Sequence, residues 1–314
     1  MELDLGELRK PDELAMLYEL EPEVRDIIVE GKGDKNFYEW FISEGQMNGL
    51  VKVYAAADRV YLPDSELIEN GMIAGERNRV LRLSNLLSTM KVSPSSVRLV
   101  IDMDLGSIGL DPVSENPYLL YTDFSAVELY AFNEKTIFKL LRVGLGAPDD
   151  VTAKDLIESI QPALVALFII RACLRESRIG AKMPPNAIEG VYGCNDLHGA
   201  AGEVFRLALD RVPRQRREGV TRESLLADFC RLEEMVQGDV RHFINGHDIS
   251  VAIIHYVKLR CRSVFNAEGR RVLQAAPVLE ILLMGLVDRD GLKSYPLFSS
   301  ITAWLTGETK VGLV

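Results

Sequence analysis

The sequence predicts an α/β fold, with a mainly parallel sheet flanked by helices and a mostly helical C-terminal region. Three observations carry that expectation. Short apolar runs rich in β-branched residues occur near 26–29, 50–55, 97–101 and 118–121. They alternate with segments of helical periodicity, the pattern of parallel strands joined by crossover helices. After about residue 133 no strand pattern recurs. The apolar runs are nearly continuous, as expected for strands buried on both faces.

Taken in order, residues 7–22 read as a polar helix with apolar points at Leu14, Leu17 and Leu20. Asp26 leads into Ile27, Ile28 and Val29, and Glu30-Gly31 closes that strand with a turn. Phe37, Tyr38, Trp40 and Phe41 make 35–43 a helix that covers the sheet. The second strand spans 50–55. Residues 76–90 place Val80, Leu83, Leu86 and Leu87 on one helical face. The third strand, 97–101, ends in Asp102-Met103-Asp104, and the fourth, 118–121, ends in Thr122-Asp123. Thr152 and Asp155 form a capping-box-like start to an apolar helix through Cys173. Pro184-Pro185 breaks the chain. Helical patterns resume near 199–211, 221–237, 247–261 and 272–287. The expected domains are therefore 1–132, with the sheet, and 133–314, helical.

The chain has 314 residues and a net charge of -10. The charge is uneven. Residues 1–150 carry 27 acids against 15 bases, whereas residues 205–271 carry 9 against 13. An acidic protein does not bind nucleic acid through its overall field, but a local basic face or bound cations can do so. Arg211, Arg214, Arg216 and Arg217, with Arg222 nearby, form such a basic run. It suits a nucleic-acid backbone, an acidic partner or plain solvation. The four cysteines are scattered without a CxxC pair. That argues against a zinc site and for a reduced, cytoplasmic setting. His198 lies four residues from Cys194 without further ligand spacing. No signal-peptide pattern opens the chain, and the apolar run 163–170 is too short to span a bilayer, so no membrane association is expected.

Glu30 ends the first strand, and Asp102 and Asp104 follow the third. In an open parallel sheet these strand ends border the crevice where such folds bind ligands. Carboxylates gathered there call for a cation, and hard oxygen ligands favour Mg2+ or Mn2+. Each acid also has a plain reading as a turn or helix cap.

The stretch Ile28-Val29-Glu30-Gly31-Lys32-Gly33-Asp34-Lys35 resembles the strand and Glu-Gly motif that opens the Toprim domain. Val100-Ile101-Asp102-Met103-Asp104 resembles that domain's later DxD motif. The likeness covers about residues 24–130. Thr122-Asp123-Phe124-Ser125-Ala126-Val127-Glu128 resembles the acidic segment of Toprim nucleases of the overcoming-lysogenization-defect kind. Together with Phe243-Ile244-Asn245-Gly246-His247-Asp248, these motifs are similar to the Toprim-like effectors of PARIS anti-phage systems.

The resemblance implies a metal-dependent nuclease acting as a toxic defence effector. It implies an ABC-type ATPase partner and transfer RNA as target. The chain has no GxxxxGK[ST] motif, so the ATPase would be a separate protein. By the resemblance, Glu30 is a metal ligand or general base, Asp102 and Asp104 are metal ligands, and Asp34 and Glu128 serve a second metal. Lys32 is a candidate contact to the scissile phosphate, although a solvated loop lysine reads the same way. His247 and Asp248 read either as an acid–base pair or as a helix cap and its neighbour. A homodimer is expected for the active form, since a second copy supplies cationic surface that the acidic N-terminal region lacks. The alternatives are a non-catalytic regulatory or nucleotide-binding Toprim module and a DNA nuclease.

Overall fold

The computed structural model describes residues 8–43, 51–264, 273 and 275–307. Residues 7, 50, 272 and 274, at the edges of expected elements, lie outside them. The chain divides into two compact units: Met1–Asp102, Val113–Asp123 and Arg289–Val314 in the first, Met103–Pro112 and Phe124–Asp288 in the second. The boundary expected at 132/133 falls inside the second unit, and residues from 289 onward belong with the sheet.

The first unit is built on four parallel strands in the order β2-β1-β3-β4. These are β1 (Arg25–Val29), β2 (Val51–Ala55), β3 (Val97–Ile101) and β4 (Leu119–Tyr121). β2 and β3 pair with β1 on its opposite edges. The chain therefore switches direction between β1 and β3. Helices α1 (Pro11–Leu20), α2 (Lys32–Ser43), α3 (Ala56–Arg59), α4 (Asp64–Glu69) and α5 (Glu76–Thr89) surround the sheet. Alternation along the strands sends side chains to both faces. On one face, Ile28, Leu99 and Ile101 pack with Leu14 of α1 and with Val80, Leu83 and Leu87 of α5.

The aromatic face of α2 meets the last helix of the unit, Pro296–Thr306. Phe298 of that helix lies 4.8 Å from the ring of Phe41, 6.0 Å from Tyr38 and 6.1 Å from Phe37. Arg25 donates to the Trp304 carbonyl at 2.9 Å, and the Trp304 indole donates to Pro94 O at 3.0 Å. These contacts are why the C-terminal segment packs with the sheet and not with the helical unit. Local patterning marked a helical region after 133, but the pairing of aromatic rings is non-local.

A charge pair is buried in this unit. Asp26 and Arg59 are each 1% exposed, and their Oδ2–Nη2 distance is 2.8 Å. The Tyr18 hydroxyl donates to the same oxygen at 2.8 Å. Arg59 also lies over the Tyr54 ring at 4.4 Å. Burial pushes the Asp26 carboxyl up, and the Arg59 charge opposes that shift.

The second unit is helical. Its centre is α7 in our numbering, Ala153–Glu176, preceded by α6, Glu134–Lys139. Thr152 caps α7 by accepting from Asp155 N at 3.0 Å, as the sequence predicts. The run 163–170 is part of this 24-residue helix, which is long and apolar enough to cross a bilayer by length and composition. Instead, 61% of its most apolar window is buried within the protein. Around it stand α8 (Ala187–Val191), α9 (Leu197–Leu209), α10 (Arg222–Glu233), α11 (Gly246–Arg260) and α12 (Ala276–Gly285).

Breaking a buried pair leaves an uncompensated charge, which costs about 3–5 kcal/mol. Arg59→Met is therefore expected to lower stability by about that amount, measured by chemical denaturation. Replacing both partners, as in Asp26→Val with Arg59→Met, is expected to cost less than Arg59→Met alone.

Candidate functional site

In the first unit the switch between β1 and β3 carries a carboxylate. Glu30 directly follows β1, and its Oε1 accepts from the backbone N–H of Asp102, directly after β3, at 2.9 Å. The bond ties together the carboxyl ends of the two central strands. The sequence reading placed these two residues on one edge, and the structure joins them. A third group enters there that the sequence reading missed. Arg77, in the first turn of α5, lies 3.8 Å from Glu30 Oε1 and donates to the Asp102 carbonyl. Both side chains are mostly buried, 17% exposed for Arg77 and 20% for Glu30. A guanidinium thus offsets the carboxylate within the fold.

Asp34 sits in the first turn of α2, and its Oδ2 accepts from Gly31 N at 3.0 Å. That is the helix-capping role, in which the carboxylate satisfies an amide that begins the helix. Lys32 opens α2 and is largely exposed, 3.6 Å from Asp58. Asp123 accepts from Leu297 N at 3.2 Å, at the start of the last helix.

In the second unit three segments singled out in the sequence converge. Asp104 has φ +46°, a left-handed conformation that Asp tolerates better than most residues. Its N–H donates to Ser125 O at 2.8 Å. Ser125 in turn donates through Oγ to Arg241 O at 3.0 Å and to Ile244 O. Ser107 Oγ donates to His242 O at 2.7 Å. Arg241 stacks over the Phe124 ring at 3.8 Å. The loop after the DxD motif is thereby fastened to the 124–128 and 241–244 segments.

Glu128, His247 and Glu280 offer three ligand atoms within 4.8 Å of one another. His247 Nδ1 is 3.2 Å from Glu280 Oε2 and 3.5 Å from Glu128 Oε1. Glu128 approaches the start of α11 so closely that a Cβ on Gly246 would lie 2.2 Å from its Oε2. Any larger residue there would force the Glu128 side chain to shift. The hydrogen bond to Glu280 and the charge of Glu128 raise the His247 pKa to about 9, against the opposing effect of burial. Sequence reasoning named Glu128 and His247 separately and missed Glu280. The available signal was a single carboxylate inside an otherwise apolar helix, Ala276–Gly285.

Asp248 does not pair with His247. Arg171 of α7 holds it, with Nη2 donating to Oδ1 at 2.8 Å and Nη1 to Oδ2. Among the basic residues, Arg211, Arg214 and Arg216 are exposed. Arg217 donates to Leu209 O at 3.0 Å and Arg222 to Gly202 O at 3.1 Å, so both brace the helices beside them.

The sequence matches no protein-family profile and no curated protein.

A histidine whose pKa rises on folding binds its proton more tightly in the folded state. Its contribution to stability is complete below the unfolded value of 6.5 and disappears as pH rises through about 9. The melting temperature of the wild type is expected to fall relative to His247→Gln across that interval. Thermal scans from pH 6 to 10 measure the difference.

Proposed function

We propose that this chain is a divalent-metal-dependent nuclease of Toprim type. The observation that carries the reading is the position of Glu30 and Asp102 at the carboxyl ends of β1 and β3, where the strand order reverses. Open α/β sheets bind ligands at that switch point.

The residues suit a cation. In the sheet unit Glu30, Asp34 and Asp102 are hard oxygen donors of the kind that take Mg2+ or Mn2+; Asp104 and Glu128, in the helical unit, carry the same donor chemistry. The mixed oxygen and nitrogen set of Glu128, His247 and Glu280 suits Mn2+ better than Mg2+. Bound divalent ions would supply charge neutralisation at the phosphate and an activated water. Glu30 accepts hydrogen bonds at the switch point and serves as ligand or proton acceptor. Arg77 holds Glu30 and the Asp102 carbonyl in place and balances charge. Lys32, exposed at the start of α2 and 3.6 Å from Asp58, would be the contact to phosphate. Arg211, Arg214 and Arg216 offer cationic surface to a nucleic-acid backbone, with Arg217 beside them.

In this reading the substrate is RNA, with transfer RNA the favoured target, and the chain is a defence effector held by an ABC-type ATPase. It acts in the cytoplasm, a setting compatible with its four free cysteines, and as a homodimer. A second reading, a regulatory or nucleotide-binding module that does not cleave, draws on Arg77. A guanidinium already beside Glu30 gives the acid a partner without a metal.

Purified chain incubated with transfer RNA, total RNA and plasmid DNA, with and without Mg2+ or Mn2+, separates the readings. Metal-dependent cleavage that falls at least about 100-fold in Glu30→Gln and Asp102→Asn supports the nuclease. Intact nucleic acid under every condition supports the binding module.

Replacing Arg214, Arg216 and Arg217 with Ala is expected to weaken RNA binding and flatten its salt dependence by about two to three counterions. Filter binding over a salt series measures the slope.

A further inference from the structure

The helical unit holds a second constellation, made of exposed side chains on α9 and α10. Cys230 lies on α10 and is exposed. Its Sγ is 3.6 Å from Nδ1 of His198, in the first turn of α9. The other ring nitrogen, Nε2, is 3.0 Å from Glu233 Oε2, one turn beyond Cys230 on the same helix. A carboxylate oxygen accepts, so Nε2–H donates to Glu233. Nδ1 is then left as an acceptor facing the thiol. Phe229 sets the ring from the side, edge-on with centroids 5.4 Å apart.

The position of His198 is itself fixed. Asp196 caps α9 by accepting from Gly199 N at 2.9 Å, and a Cβ on Gly199 would lie 2.3 Å from the Asp196 carboxylate. Nucleophile, base and orienting carboxylate thus follow the order that activated thiols use.

We propose that Cys230 is a thiol-modification site that takes small-molecule disulfides, with His198 as its proton acceptor and Glu233 as the positioning residue. His198 Nδ1 takes the Cys230 proton as Sγ attacks one sulfur of the disulfide. The Cys230–sulfur bond forms and the original S–S bond breaks. The departing thiolate takes the proton from His198 and leaves as a free thiol. Cys230 is oxidised to the mixed disulfide, and the other half of the reagent is reduced. A further thiol reverses the exchange.

The remaining cysteines act as internal controls. Cys194 is also exposed, but its S–H points to the Asp196 carbonyl at 3.3 Å, an oxygen that cannot take the proton. Cys173 and Cys261 are buried, and burial pushes the Cys173 thiol up to about 12.

The test uses the full chain and the disulfide cystamine, with mixed disulfide at each cysteine followed over time by peptide mass spectrometry. Cys230 is expected to react at least about threefold faster than Cys194. His198→Gln and Glu233→Gln are each expected to bring Cys230 down to the Cys194 rate and to leave Cys194 unchanged. Both side chains are about half exposed, 51% and 44%, so the substitutions spare the core. Continued protection of Cys173 and Cys261 reports that each variant is folded. Equal rates at Cys230 and Cys194 in the wild type, or an unchanged Cys230 rate in folded His198→Gln, would overturn the proposal.

Discussion

The sheet unit is organised around a charge that has no access to water. Asp26 is the second residue of the central strand β1, and a buried carboxylate in that position needs partners that reach it from outside the strand. Arg59 and Tyr18 supply them, one from α3 and one from α1. The strand, the helix that precedes it and the helix that follows β2 are therefore set by one shared oxygen. Aliphatic packing tolerates small slips, but a buried ion pair with a hydroxyl donor has few acceptable geometries. With β1 held at its amino end, its carboxyl end is presented in register with β3, and Glu30 meets the Asp102 amide there.

Each unit solves the problem of gathered acid in the same way. Around Glu30 the neutralising group is the Arg77 guanidinium. Around Glu128 and Glu280 it is the His247 imidazole. In both cases a side chain of the protein stands where a cation is needed. A divalent ion entering either place has to compete with a positive charge that is already covalently attached.

Much of the sheet was legible because it depends on local pattern. The four strands, the aromatic helix α2 and the apolar stripe of α5 follow from alternation and periodicity within short windows. Glu30 and Asp102 could be placed on one edge because strand ends in a parallel sheet point the same way. What escaped the sequence is non-local. Arg77 lies 47 positions from Glu30 in the numbering, and nothing in its own neighbourhood shows which carboxylate it meets. Glu280 is similar, since its partners come from two other elements. The role of Asp248 was open between catalysis and capping, and an arginine on α7 took it for a structural pair. The domain boundary was misplaced for the same reason. The pattern after residue 133 is helical throughout, and helicity does not reveal that the last helix covers α2.

That last helix has a consequence for how the protein is made. Phe37, Tyr38 and Phe41 emerge from the ribosome early, but the ring that covers them, Phe298, is translated roughly 250 residues later, on the order of 10–50 s at ordinary elongation rates. Throughout that interval the nascent sheet unit carries an uncovered aromatic face, while the intervening helical unit is synthesised whole. The nascent chain is thus a natural client for chaperones that shield apolar surface. The sheet unit can therefore be completed only after the helical unit has been synthesised.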